Sequence, residues 1–180
     1  PQKNGKIVEH VFVGLLRRSS LLAKNIETPL IHLKMKYVFD AKNMLPGSYN
    51  YNEVIRIFMV TPKYELFRSS KETLLAITED LLDVSNFNEI YAFFYPQEQS
   101  RRFLLMLVIP GYLFTKSAIQ SIKQYLKQSF PQSDFETIEI YSDPYSRLHI
   151  YFPYEYDSDW VPNCLQIEKD IKELIRPWGD

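Results

Sequence analysis

The 180-residue sequence is short of glycine, cysteine and histidine, and each shortage removes a class of function. With five glycines, neither a G-x-G-x-x-G nor a P-loop pattern can be written, so no dinucleotide or phosphate loop is expected. A single cysteine, Cys164, excludes an internal disulfide and points to a reducing compartment. It lies on an apolar helical face with no base or cation beside it in sequence, which suits a small hydrophobe better than a nucleophile. Three histidines, His10, His32 and His149, offer no pair at metal-ligand spacing. Catalytic, cofactor-binding and metal-ligating residues are therefore all expected to be absent. The formal net charge of −1, with both signs interspersed, lacks the basic face of a general phosphate-backbone binder. No apolar run approaches the roughly 18 residues of a membrane span. No signal peptide precedes the first strand-like run, so a cytoplasmic location is expected, with no membrane partner.

What is present is a core. Hydrophobic residues make up 46% and aromatics 15% of the chain, enough for one packed domain, with or without a helical segment. Glu89–Tyr95 and Arg102–Ile109 are apolar, aromatic-rich runs either side of a polar turn, and they predict paired strands. Thr115 as a cap, followed by Ala118, Ile119, Ile122, Tyr125 and Leu126 at helical spacing, predicts a helix. Asp134–Tyr141 and Arg147–Phe152 predict two more strands. On the last, Leu148, Ile150 and Phe152 alternate with Arg147, His149 and Tyr151 on an exposed-type face. Asp157-Ser158-Asp159 reads as the N-cap of a helix from about Trp160 to Ile175, with Val161, Cys164, Leu165, Ile171, Leu174 and Ile175 inward. The order β-β-α-β-β-α predicts an α+β fold, an antiparallel sheet with helices on one face in a two-layer sandwich.

The N-terminal half predicts helices. Lys6–Leu16 is a strand without a local partner, which must pair with a distant strand or with a preceding module. The chain starts at Pro1 rather than Met and is expected to be an excised piece of a longer protein. Thr28-Pro29 opens a helix with Leu30, Leu33, Tyr37 and Ala41 on its inner face, widened by Ile31, Val38 and Phe39. A second helix spans about Tyr51 to Val60. A capping box of Ser69 and Glu72 opens a third, with Leu74, Leu75, Ile77, Leu81 and Leu82 buried. The expected division is a strand end of a preceding module at 1–22, a helical connector at 23–87 and an α+β domain at 88–180.

One loop invites a ligand. In Ser142-Asp143-Pro144-Tyr145-Ser146-Arg147 a turn places two hydroxyls and a guanidinium at a strand entry. Arg147, with His149 beside it, could hold a carboxylate in bidentate fashion; the alternative is a turn whose arginine pairs with a nearby acid. Ser142, Asp143, Ser146, Arg147 and His149 are thus the candidate effector or subunit contacts. Tyr91, Phe93 and Tyr95 offer stacking surfaces for bases, yet the accompanying basic signature is missing and a core role is favoured.

The residues also carry a resemblance. His10-Val-Phe-Val-Gly-Leu15, Pro29-Leu30 with Lys34 and Lys36, Leu45-Pro-Gly-Ser48, Thr61-Pro-Lys-Tyr-Glu-Leu-Phe67, Arg102-Phe103 with Leu107-Val-Ile-Pro110, Tyr112 with Thr115, Asp143-Pro144, Arg147-Leu-His149 and Pro177-Trp178 occur in the order and rough spacing seen in large bacterial NAD-specific glutamate dehydrogenases. The chain resembles their long N-terminal regulatory region over nearly its whole length. The resemblance implies an ACT-like (ferredoxin-like) regulatory domain after a helical connector. It further implies a non-catalytic allosteric or oligomerisation segment of an enzyme that oxidises glutamate to 2-oxoglutarate with NAD. The implied partners are the rest of the parent chain, further subunits in a homo-oligomer and an amino-acid effector. Two rivals are a purely structural subunit-contact domain and an RNA-binding α+β domain. The sequence departs from the family at Gly111-Tyr112, at Tyr141-Ser-Asp-Pro144, and in strand order, since a standard ACT domain runs βαββαβ. That last difference predicts a strand supplied by Lys6–Leu16 or from outside the chain.

Overall fold

The computed structural model describes residues 24–97, 102–131, 134–153 and 163–175. The expectations for Lys6–Leu16, His10, Asp157–Asp159, Trp160, Val161 and Pro177-Trp178 fall outside these residues.

Four helices come first: α1 (Pro29–Ala41), α2 (Tyr49–Val60), α3 (Lys63–Arg68) and α4 (Lys71–Asp83). Pro29 begins α1 with its φ already helical. The turn before α2 needs a left-handed residue, which Gly47 supplies at φ 82°. Ser48 then caps α2 by accepting from the Tyr51 amide at 3.2 Å, so the helix starts two residues before Tyr51. Pro62 ends α2 and opens α3, a six-residue helix too short for hydrophobic periodicity to reveal. The cap of α4 is Ser70, which accepts from the Thr73 amide at 3.0 Å, and not Ser69. Ser69 belongs to the end of α3. There the Lys34 ammonium donates to the carbonyls of Leu66, Phe67 and Ser69 at 2.7, 2.9 and 2.7 Å, satisfying a helix C-terminus. The inner stripe of α1 is Ile31, Met35 and Val38, whereas Leu30 and Leu33 face outward. That corrects the expected face. The helix is apolar on two adjoining stripes, and the one meeting Val54, Phe58, Leu66 and Leu74 is buried.

Four strands follow: β1 (Tyr91–Gln97), β2 (Arg102–Pro110), β3 (Glu136–Ile140) and β4 (Tyr145–Pro153), with α5 (Lys116–Ser129) after β2 and α6 (Cys164–Leu174) after β4. All pairings are antiparallel and the sheet order is β1-β2-β4-β3. Along the chain, ββαββα is a cyclic permutation of βαββαβ. Residues 91–153 therefore supply all four strands of such a sheet, and Lys6–Leu16 is not needed to complete it. Thr115 caps α5 as expected, accepting from the Ala118 amide. On α6 the cap is Asn163, accepting from the Gln166 amide, and the helix runs from Cys164. Cys164 is half-buried against the core, but Leu165 (78% exposed) and Leu174 turn outward.

Within 88–180 both helices cover one face of the sheet. Ile119, Ile122 and Leu126 of α5 and Ile167 and Ile171 of α6 pack on Phe103, Leu105, Leu107, Leu148, Ile150 and Phe152. The opposite face carries Tyr95, Leu104, Met106, Val108, Tyr145 and Tyr151, with Tyr91 and Phe93 beside them. It is covered by Ile57 of α2 and Ile77 and Leu81 of α4. The face of β4 that reads as exposed is thus buried by the helical segment, and β2 and β4 are enclosed on both sides. Among the described residues no helix is long and apolar enough to cross a membrane.

Candidate functional site

The five candidate residues fall into two groups. Ser142, Asp143 and Ser146 form the turn into β4. Ser142 Oγ donates to the Tyr145 carbonyl at 2.6 Å, and the Ser142 amide and carbonyl each lie 3.4 Å from Ser146 Oγ. Ser146 is buried, while Asp143 and Pro144 are exposed. The turn is gripped from two sides. The Gly111 amide donates to the Pro144 carbonyl at 3.4 Å. From α2, Arg56 donates Nη1 to the Asp143 carbonyl and Nη2 to the Tyr145 hydroxyl, each at 3.1 Å, and its guanidinium lies 5.3 Å from the Tyr145 ring centre. Glu53, one turn earlier on α2, holds Arg56 through both carboxylate oxygens. The hydrogen bond to Glu53 raises the Arg56 pKa, and burial raises that of Tyr145.

Arg147 and His149 point the other way, into the interface between β4 and the helical segment. Each is 1% exposed. Strand alternation puts Arg147, His149 and Tyr151 in one row, and α3 drops Glu65 onto that row. His149 Nδ1 meets Glu65 Oε1, and the Tyr151 hydroxyl donates to the same oxygen at 2.7 Å. An ionised carboxylate only accepts, so the hydrogen-bond pattern assigns the proton to Nδ1. Arg147 Nη2 donates to Thr61 Oγ1 at 2.9 Å. Burial pushes the Glu65 carboxyl up, but His149, Tyr151 and the Arg147 charge together hold it below the usual carboxylate range. Burial lowers the Arg147 pKa against the pull of Glu65. Burial and the Glu65 charge both raise Tyr151. Three atoms of the cluster have no protein hydrogen-bond partner: Glu65 Oε2, Arg147 Nη1 and His149 Nε2.

The acid beside Arg147 is thus Glu65, with contact through charge and not through a direct hydrogen bond. Arg56 and Glu53 do not stand out in the sequence, and Glu65 appears there only as part of the Thr61–Phe67 run, with no role attached. Glu65 is hidden because its helix is short, and Glu53/Arg56 read as an ordinary i,i+3 surface pair. Asp80 of α4 gives a further polar tie, accepting from the Tyr95 hydroxyl at 2.5 Å. A surface cavity of about 310 Å³ is lined by Arg102, Asp134, Phe135, Glu136, Tyr151 and Pro153, so Tyr151 is shared between it and the buried cluster. Among the described residues no three His, Cys, Asp or Glu side chains are grouped to hold a metal.

Comparison with protein families gives two matches in chain order. Residues 28–86 match the model described as glutamate dehydrogenase, helical motif 1, and residues 92–179 match glutamate dehydrogenase, ACT2 domain.

Proposed function

The chain belongs to the glutamate dehydrogenase family, as part of its N-terminal region, and from that premise we propose that it senses an amino-acid effector and passes the signal to the enzyme. It does so as a non-catalytic regulatory module of a cytoplasmic, NAD-specific, oligomeric enzyme. The division at 87/88 separates a helical transmitter from the ACT-type domain. The observation that carries this reading is the grip of Arg56 on the Asp143–Tyr145 turn, because a ligand settling there must act on the helical segment as well as on the sheet. Exposed Asp143 is suited to an ammonium group, whereas the Ser142 and Ser146 hydroxyls are engaged within the turn and hold its shape. An effector regulates only through differential affinity for two arrangements of the subunits.

The test is thermal melting of the chain with each of the twenty amino acids at up to millimolar concentration. A ligand that binds only folded protein raises the Tm by mass action. One or two amino acids are expected to do so, and the rise is expected to vanish in Asp143→Asn. A flat response across all twenty would replace the effector reading with a structural one, in which the module only joins subunits. The burial of Arg147 favours that second reading, since its guanidinium does not reach the surface. An RNA-binding role has less support: Arg102 and Lys123, two cations of the sheet domain, pair with Glu136 at 2.5 Å and Glu139 at 3.2 Å.

A further inference from the structure

Glu65 sits where a ligand carboxylate would sit. An imidazole N–H, a phenol O–H and a guanidinium, all from β4, surround one carboxylate group that arrives from a helix 84 residues away in sequence. Such a set of donors serves equally well for a free carboxylate. Glu65 and His149 are at most 3% exposed, and Arg147 Nη1, His149 Nε2 and Glu65 Oε2 lack protein partners. A permanent structural tie has reason to pair such groups fully, because a buried polar atom without a partner is destabilising. Here the sheet retains one donor, Arg147 Nη1, that Glu65 does not use.

We propose that Arg147, His149 and Tyr151 form a carboxylate-binding site that Glu65 occupies in the closed molecule, and that a small carboxylate competes with Glu65 and frees α3 from the sheet. The site is then self-inhibited: the helical segment docks through a side chain that imitates the ligand. Tyr151 also lines the 310 Å³ surface cavity, so one residue of the set borders an open space. The proposal goes beyond the effector reading, which places its ligand at the Asp143–Tyr145 turn, and its test needs no effector.

Glu65→Ala removes the internal carboxylate and leaves the donors. Its Tm is expected to rise by several degrees in millimolar sodium formate relative to sodium chloride at equal ionic strength. Glu65→Gln, whose amide still fills the space, should show no such difference. In the wild-type chain, amide exchange across Lys63–Arg68 is expected to accelerate in formate but not in chloride. Free glutamate at equal concentration then distinguishes a bare carboxylate site from an amino-acid site by the size of the same acceleration. Identical melting of Glu65→Ala in both salts would overturn the proposal. Should that variant not fold in either salt, unchanged exchange in the wild type would overturn it. A flat amino-acid screen alongside formate rescue removes the effector reading alone; a responsive screen without rescue removes this site alone.

Discussion

Glu65 and Arg147 show what a buried charge does to stability. Desolvation penalises both, and each offsets part of the other's cost while His149, Tyr151 and Thr61 supply hydrogen bonds. Taking away one member of such a group leaves an uncompensated charge in the interior. Arg147→Leu is therefore expected to lower unfolding stability by about 3–5 kcal/mol. Lys172→Ala, which breaks the exposed pair with Glu89, should cost roughly 1 kcal/mol or less. Urea midpoints of the two variants check the contrast. The sign of the pH dependence follows from Glu65. Its folded-state pKa is below the unfolded value, so its stabilisation is complete above the ordinary carboxylate range and is lost as pH falls through the folded value. The stability gap between wild type and Glu65→Gln should accordingly shrink as the pH is lowered below about 4.3. A gap that stays constant from neutral pH down to pH 3 would mean that Glu65 is not ionised in the fold.

Short polar residues set the element boundaries, and apart from α3, which no pattern marks, most described boundaries lie within two residues of where the sequence puts them. Thr115 and the β-β-α-β-β-α order were visible because caps and alternation are local signals. Ser69 and Ser70 were not separable by pattern, since both precede an acidic residue within a turn. The chain resolves them by a tertiary contact: Lys34 draws the Ser69 carbonyl into the end of α3, leaving Ser70 as the residue that enters α4. Ser70→Ala should cost about 1 kcal/mol, the usual value of an N-cap hydroxyl. Ser69→Ala should cost much less, because its carbonyl remains. Equal shifts in the chemical-denaturation midpoint would contradict this assignment.

At the scale of the molecule, the sequence hides a layer. Alternation along β4 separates two rows of side chains but says nothing of what covers the row with Arg147, His149 and Tyr151. Polar residues there look solvent-facing. They are buried because α3 brings a carboxylate to them and α2 and α4 bring Ile57, Ile77 and Leu81 to Leu104, Met106 and Val108. The candidate site was legible only in part for the same reason. Its turn was marked by Asp143-Pro144, whereas its partners Arg56 and Glu65 lie 87 and 84 residues from the groups they meet. Helical and sheet portions so joined should unfold together, with far-UV and near-UV signals losing structure at one midpoint. Residues 88–180 alone would expose the apolar row of Tyr95, Leu104, Met106 and Val108 together with an unpaired Arg147. That piece is expected to bind a hydrophobic dye and to associate at micromolar concentration, while the chain from 24 onward remains free of both. A monomeric, dye-silent 88–180 with a sharp melting transition would show instead that the sheet closes without its helical cover.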